Sequence, residues 1–254
     1  MYMYSFSNLM QKSTGIITSK IIFITLAITL IILLSTQQLF AAVLNRAVEL
    51  TGSEYLNIPD AEQSGLDISG DMTIAMWVKP TTIVGNMALV SKWNQAAKTS
   101  YILFLEDGLV GVHLNDQPSG YGYSSLFAPH GKSANQWFQV AMVYKAASTT
   151  IELFINGVSV GISNDVPASI SNTDADFVIG GREDRIVPFS GKIDDVIILN
   201  RALSNNEIKS LNNKPNSLQN DSAVQGFWKF NGNLLDESAN TNHIGQKFSD
   251  DAPY

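Results

Sequence analysis

The chain has 254 residues, 45% of them hydrophobic, no cysteine and a formal charge of −7. A core of this size forms without disulfides, so thiol chemistry is excluded while an oxidising exterior is not. The acidic balance repels phosphate backbones and argues against nucleic acid as a partner.

The first 42 residues carry Lys12 and Lys20, no acid, and the run "IIFITLAITLIILL" at 21–34. A basic segment followed by an apolar run of this length matches a signal peptide, with small residues in "QLFAA" offering a cleavage point. Extending the span to Leu44 gives about the 20 residues of a membrane anchor instead. Signal peptide and signal anchor both stand, and both put residues 43–254 outside the membrane, at an extracellular or cell-surface location. That part carries 14 Lys and Arg against 23 acids, a formal charge of −9. The excess is compatible with bound cations and also with solubility alone.

From Ala47 onward, short alternating or apolar runs are separated by Gly, Pro, Asn, Asp and Ser clusters, the pattern of an all-β sandwich or barrel. The clearest strands are "MTIAMWVKP" (72–80), "SYILFLEDGLVGVHL" (100–114), "NQWFQVAMVY" (135–144) and "IELFINGVSVGI" (151–162). Asn156 and Gly157 accept the positive φ values of a two-residue turn, which predicts a hairpin there, and "EDG" at 106–108 predicts another. One stretch reads as a helix, "LSNNEIKSL", with Ser204 as its cap and Glu207 three residues on, as in a capping box. The polar segment 212–222, with Pro215, reads as a loop or linker. Strand character then resumes from 223 to 254.

Taken in order, "LTGSEYLNIPDAEQSGLDISGDMTIAMWVKP" (50–80), "LVSKWN" (89–94), "WFQVAMVY" (137–144), "ELFINGVSVG" (152–161), "FVIGGRE" (177–183) and "FSGKIDDVIILNRALSNNEI" (189–208) resemble the bacterial laminin G-like, concanavalin A-like lectin/glucanase jelly rolls. The resemblance implies a two-sheet antiparallel jelly-roll sandwich. It also implies a module that binds sugars or other surface ligands, often with calcium, or serves as an adhesion or spacer domain. In many members a segment like "WKFNGNLLDESANTNH" precedes the "YLNIP" motif, whereas here it lies at 228–243. Residues 223–254 therefore either close the same sandwich from the other end or begin a truncated second repeat. Closure is favoured, because so short a tail cannot bury a core of its own.

Two carboxylates, Asp194 and Asp195, stand at the entrance of the apolar "VIIL" strand. Simple alternation puts Asp194 on the face of Val196 and Ile198, and Asp195 with Ile193, Ile197 and Leu199. With the resemblance placing the "V-x-I" side inward, Asp194 is expected to be the buried acid, which needs hydrogen bonds or a metal. Asp236, Ser238, Asn240 and Asn242 in "DESANTNH" place oxygen donors at alternate positions, so these four with Asp194 form a candidate calcium site. The competing reading has the acid accept backbone N–H bonds and the Asn/Ser run make turns.

For a sugar, Tyr121, Tyr123, Phe127 and His130 concentrate in the Gly/Pro-rich loop 117–131, where exposed rings can stack on it, and Trp93 is positioned to join them. The candidate ligand-binding residues are thus Trp93, Tyr121, Tyr123 and His130. Trp77, Trp137 and Trp228 lie inside strand patterns and read as core, and Arg182 reads as a paired surface charge. The chain shows no E-x-D-x-E run of the kind that sets a glycosidase's paired acids on one strand, and no H-E-x-x-H zinc motif. A non-catalytic binding module for carbohydrate or a cell-surface ligand is the expected function, with a spacer domain as the alternative and a glucanase behind both.

Overall fold

The computed structural model describes residues 24–31, 46–94, 98–117, 122–245 and 247–249. It divides into two units, Met1–Arg46 and Ala47–Tyr254. In the first, residues 24–31 form helix α1, and no helix among the described residues is long and apolar enough to cross a membrane. Most of the expected leader lies outside the described residues.

The second unit is built from two antiparallel seven-stranded sheets. One runs β1 (Val48–Thr51), β12 (Ser190–Leu199), β3 (Met72–Pro80), β8 (Phe138–Lys145), β9 (Thr150–Ile155) and β10 (Val158–Ser163), with β13 (Val224–Trp228) also paired to β12. The other runs β14 (Lys247–Ser249), β2 (Glu54–Ile58), β11 (Phe177–Ile179), β4 (Asn86–Asn94), β5 (Lys98–Glu106), β6 (Leu109–Leu114) and β7 (Ser124–Pro129). Alternation along each strand sends one set of side chains between the sheets: Ile74, Met76 and Val78 from β3, Phe138, Val140 and Met142 from β8, Leu103 and Leu105 from β5. Asn156 and Gly157 take φ values of 51° and 75° in the β9–β10 hairpin, and Asp107 and Gly108 take 46° and 82° between β5 and β6. Both expected hairpins are present.

Outside the first sheet lies helix α2 (Asn205–Asn213). Ser204 caps it, accepting from the Glu207 N–H, while the Glu207 carboxylate accepts from the Ser204 N–H at 2.8 Å. Leu203, Ile208 and Leu211 bury Ala75, Val143, Phe154, Ile197 and Phe227, so the helix roofs the outer face of that sheet. Arg201 fastens the roof, donating to Glu207 and Asp221 at 2.6 Å each. The bond from Arg201, with those from Ser204, holds the Glu207 carboxyl down at about 2.

Strand β12 departs from simple alternation. Asp194 pairs with Trp77 but the next aligned pair is Ile197 with Ala75, so β12 spends one more residue than β3 over the interval. This is a β-bulge, and Asp195 sits in it at φ +48°. The extra residue re-phases the strand: Ile193, Val196 and Ile198 all reach the inner core, while both acids are half-buried away from it. The expectation that Asp194 shares the inward face with Val196 and Ile198 is corrected accordingly. The bulge also falls where two strands meet, because β1 pairs with Ser190 to Ile193 and β13 with Val196 to Leu199 along the same side of β12.

Trp228 of β13 is fully buried and stacked on Phe177 at 5.5 Å, and Gly226 leaves room for its ring. The other two tryptophans expected in the core are not there. Trp77 is half-buried on the outer face of β3, and Trp137, just before β8, is 39% exposed.

Candidate functional site

Among the described residues no helix lies over the outer face of the second sheet, and its aromatic side chains collect into a platform. Phe104 of β5 faces Gly111 of β6, which in turn faces Phe127 of β7. A Cβ at Gly111 would stand 2.5 Å from Phe104 Cζ, so the missing side chain lets the Phe104 ring lie across β6 and meet Phe127 edge-on at 5.5 Å. In the next row Ile102, His113 and Ser125 align, and His113 Nδ1 shares a 2.8 Å hydrogen bond with the Ser125 hydroxyl.

His113 is the centre of the platform. Its ring lies 4.3 Å from Tyr123, 4.7 Å from Phe104, 5.7 Å from Phe127 and 6.0 Å from Trp93. Burial pushes its pKa down to about 4, against a raising hydrogen bond at Val112, and the charge of Arg182 lowers it further. The imidazole is therefore neutral at ordinary pH. Tyr123 and Phe127 remain 39% and 41% exposed, so the platform presents open ring surface above a buried base of Trp93, Ile102 and Phe104.

The loop 180–189 closes one side. The Val187 carbonyl accepts from Ala88 N–H of β4 at 2.8 Å, and the Val187 side chain packs on the Trp93 and Phe104 cluster. Val187 holds φ +57°, a costly conformation for a β-branched residue. Strain of this kind persists only where the surroundings over-determine it, often beside a binding site. In the same loop Arg182 is only 8% exposed and its Nη2 donates to Asp184 Oδ2 at 2.5 Å. It is paired, as expected, but as a buried side chain whose charge is felt at His113 and not as a surface charge.

Among the expected ligand residues, Tyr123 lies on the platform and is exposed, beside the likewise exposed Phe127. Trp93 belongs to it from beneath, at 6% exposure and edge-on to Tyr123 at 5.3 Å. His130 does not join: it is buried, stacked at 5.2 Å on Phe138 of the inner core, and its Nδ1 accepts from Lys132 N–H. Tyr121 lies outside the described residues. His113, Phe104 and Arg182 were not singled out as ligand contacts, and the available signal was the outward parity of His113 opposite Ser125 in the "VGVHL" strand.

The expected calcium ligands are engaged otherwise. Asp236 is buried, and its Oδ1 accepts from Phe227 and Ser238 N–H at 2.7 and 2.8 Å. Its Oδ2 accepts from Asn242 N–H at 2.8 Å and the Ser238 hydroxyl at 2.6 Å. Asn240 Nδ2 donates to the Gln225 carbonyl at 3.0 Å, and Asn242 Nδ2 donates to the carbonyls of Ser64 and Gln225 at 2.8 and 2.9 Å. Asp194 Oδ1 accepts from Asp195 N–H at 3.0 Å. A carboxylate ringed by four donors has its lone pairs committed, so Asp236 offers none to a cation while these bonds hold. No group of three or more His, Asp or Glu able to hold a metal occurs among the described residues.

Two antiparallel sheets packed face to face, with a capped helix on one outer face, define a concanavalin A-like sandwich. The family model described as "Concanavalin A-like lectin/glucanases superfamily" (Laminin_G_3) matches residues 50–209, and the chain belongs to that family. No curated protein sequence matches the chain. Among solved structures, it is similar to the CBM40 of the Ruminococcus gnavus IT-sialidase bound to alpha2,3 sialyllactose. The TM-score is 0.54 at 19% identity, over 66% of this chain and 96% of that one. A protein designated as carbohydrate binding from Bacteroides ovatus ATCC 8483 gives a TM-score of 0.57 at 16% identity, over 82% of this chain and 60% of that one. The leech intramolecular trans-sialidase complexed with 2,7-anhydro-Neu5Ac gives 0.51 at 19% identity, over 65% of this chain and 26% of that one. At such identities the likeness establishes the fold and nothing finer.

Proposed function

We propose that the chain is a non-catalytic carbohydrate-binding module whose sugar lies on the outer face of the second sheet, against Tyr123 and Phe127. The observation that carries this reading is the open ring surface of those two residues around a neutral imidazole. Sugar rings offer an apolar C–H face that stacks on aromatics and hydroxyls that need a few placed polar groups, of which His113 is one. Fold likeness to modules crystallised with sialyllactose supports carbohydrate as the ligand class. An extracellular or cell-surface setting belongs to the same proposal and rests on the N-terminal apolar run.

The exposed rings also favour binding over a bare spacer role, in which large aromatics gain by burial. Hydrolysis would need two carboxyls flanking the scissile bond. Beside the platform, Asp184 is tied to Arg182, and Glu183 accepts from Asn94 Nδ2 and Asp176 N–H. Calcium has no part in the proposal. The test is a glycan array probed with the parent chain and with a Tyr123→Ala, Phe127→Ala variant. The parent is expected to bind a defined set of sugars that the variant loses, and equal binding by both would refute the platform.

A further inference from the structure

The spacing of the exposed rings bears on how much of a sugar the platform engages, an inference that rests on the carbohydrate reading above. Tyr123, Ser125 and Phe127 occupy alternate positions leading into and along β7, so their side chains project from the same face of the sheet. Ser125 lies midway between the two aromatics and opposite His113, whose Nδ1 shares the 2.8 Å hydrogen bond with its hydroxyl. At about 3.3 Å per residue, the backbones of Tyr123 and Phe127 stand about 13 Å apart along the strand. Both rings reach towards the imidazole between them, at centroid distances of 4.3 and 5.7 Å.

Each exposed ring also has its own support. Trp93 meets Tyr123 edge-on at 5.3 Å, Phe104 meets Phe127 edge-on at 5.5 Å, and both supporting residues are buried. Edge-to-face contact is a favoured geometry for aromatic pairs, so the two exposed rings are braced separately. A pyranose is a six-membered ring whose C–H face matches one aromatic ring, so a single sugar that stacks on Tyr123 or on Phe127 leaves the other uncovered. A site for one small ligand is typically concave and encloses it, whereas these rings are set out along a strand. Two sugar units joined in one molecule gain from both rings, because once the first has docked the second binds intramolecularly. We propose that the platform takes a stretch of sugar chain laid along β7, with one unit against Tyr123 and another against Phe127, and holds a single sugar only weakly.

The experiment is a calorimetric titration of the full-length chain with soluble cello-, xylo-, chito- and sialyllactosamine oligosaccharides and with the strongest hit of the glycan array, each cut back one sugar at a time to its monosaccharide. In the series that binds, the monosaccharide is expected to bind at least about tenfold more weakly than the longest member, with the gain complete once the chain spans both rings. A monosaccharide that binds as tightly as its longer relatives overturns the inference and leaves the carbohydrate reading in place. Binding to no member of any series, with no hit on the array, defeats both. Tyr123→Ala and Phe127→Ala supply a second measurement: each is expected to bring the longer members down towards the affinity of the monosaccharide. A length dependence that survives either substitution in a folded variant overturns the two-ring arrangement.

Discussion

The two outer faces of the sandwich begin alike and end differently. Each carries apolar side chains pointing away from the shared core, Ala75, Val143, Phe154 and Ile197 on one sheet and Ala88, Ile102 and Phe104 on the other. Helix α2 roofs the first, fastened by Arg201, whereas the second is finished by Tyr123, Phe127 and His113, with no helix over it among the described residues. An apolar sheet face must be covered or used, because uncovered apolar surface costs about 25 cal/mol per Å². The roof therefore serves stability, and the exposed rings are where the proposed binding falls.

That contrast can be broken most forcefully from the roofed side. Ile208→Ala removes a fully buried side chain from under α2 and is expected to cost about 2–5 kcal/mol of unfolding free energy, measured by urea denaturation. Sugar binding by the folded fraction should be unchanged. A smaller effect is expected at the open face, where Gly111→Ala pushes a methyl group into the Phe104 ring. Overpacking of this kind costs about 1–3 kcal/mol. Here binding should weaken as well, because Phe104 supports Phe127 and His113.

The faces should also differ in their response to pH. Beside the bulge, burial and then the neighbouring Asp195 push Asp194 up to about 7 from an ordinary 3.8. Asp195 is raised to about 6, chiefly by burial, with Lys229 lowering and Glu237 raising it. For an acid whose folded pKa is raised, the unfolded chain ionises first, so stability falls as pH rises from about 4 to about 7. His113 has a lowered folded pKa, so its contribution is lost as pH falls from 6.5 to about 4. Thermal melts across this range should show Asp194→Asn flattening the decline towards neutral pH, and His113→Phe flattening the loss towards acid. The smallest expected effect is that of calcium. With the oxygens of Asp236 already ringed by N–H and O–H donors, melts in EDTA and in millimolar calcium should coincide. A saturable rise would return that loop to the metal-binding role its sequence suggested.

Local signals in the sequence were readable where the cause was itself local. The Ser204 and Glu207 capping box and the Asn156–Gly157 turn depend on residues a few positions apart, and both are present as expected. The orientation of Asp194 was not readable, because one inserted residue at φ +48° resets the alternation and no feature of "IDDVIIL" announces it. The "DESANTNH" run was ambiguous for a chemical reason. A carboxylate that accepts N–H bonds from its own loop and one that ligates a cation call for the same residues at the same spacing. Half of the platform lay in view as Trp93, Tyr123 and Phe127. His113 and Phe104 were hidden in strands apolar on both faces, where only register places them beside those rings.

The most direct test of the account is a calorimetric titration of the strongest-binding sugar of the array against the parent, Tyr123→Ala and Ile208→Ala chains under conditions where all three are folded. Loss of one stacking ring is expected to weaken binding about tenfold, roughly 1.4 kcal/mol, with unfolding free energy changed by less than about 1 kcal/mol. Ile208→Ala should bind like the parent. Parental affinity in Tyr123→Ala, or weakened affinity in Ile208→Ala alone, would contradict the assignment of binding to the open face.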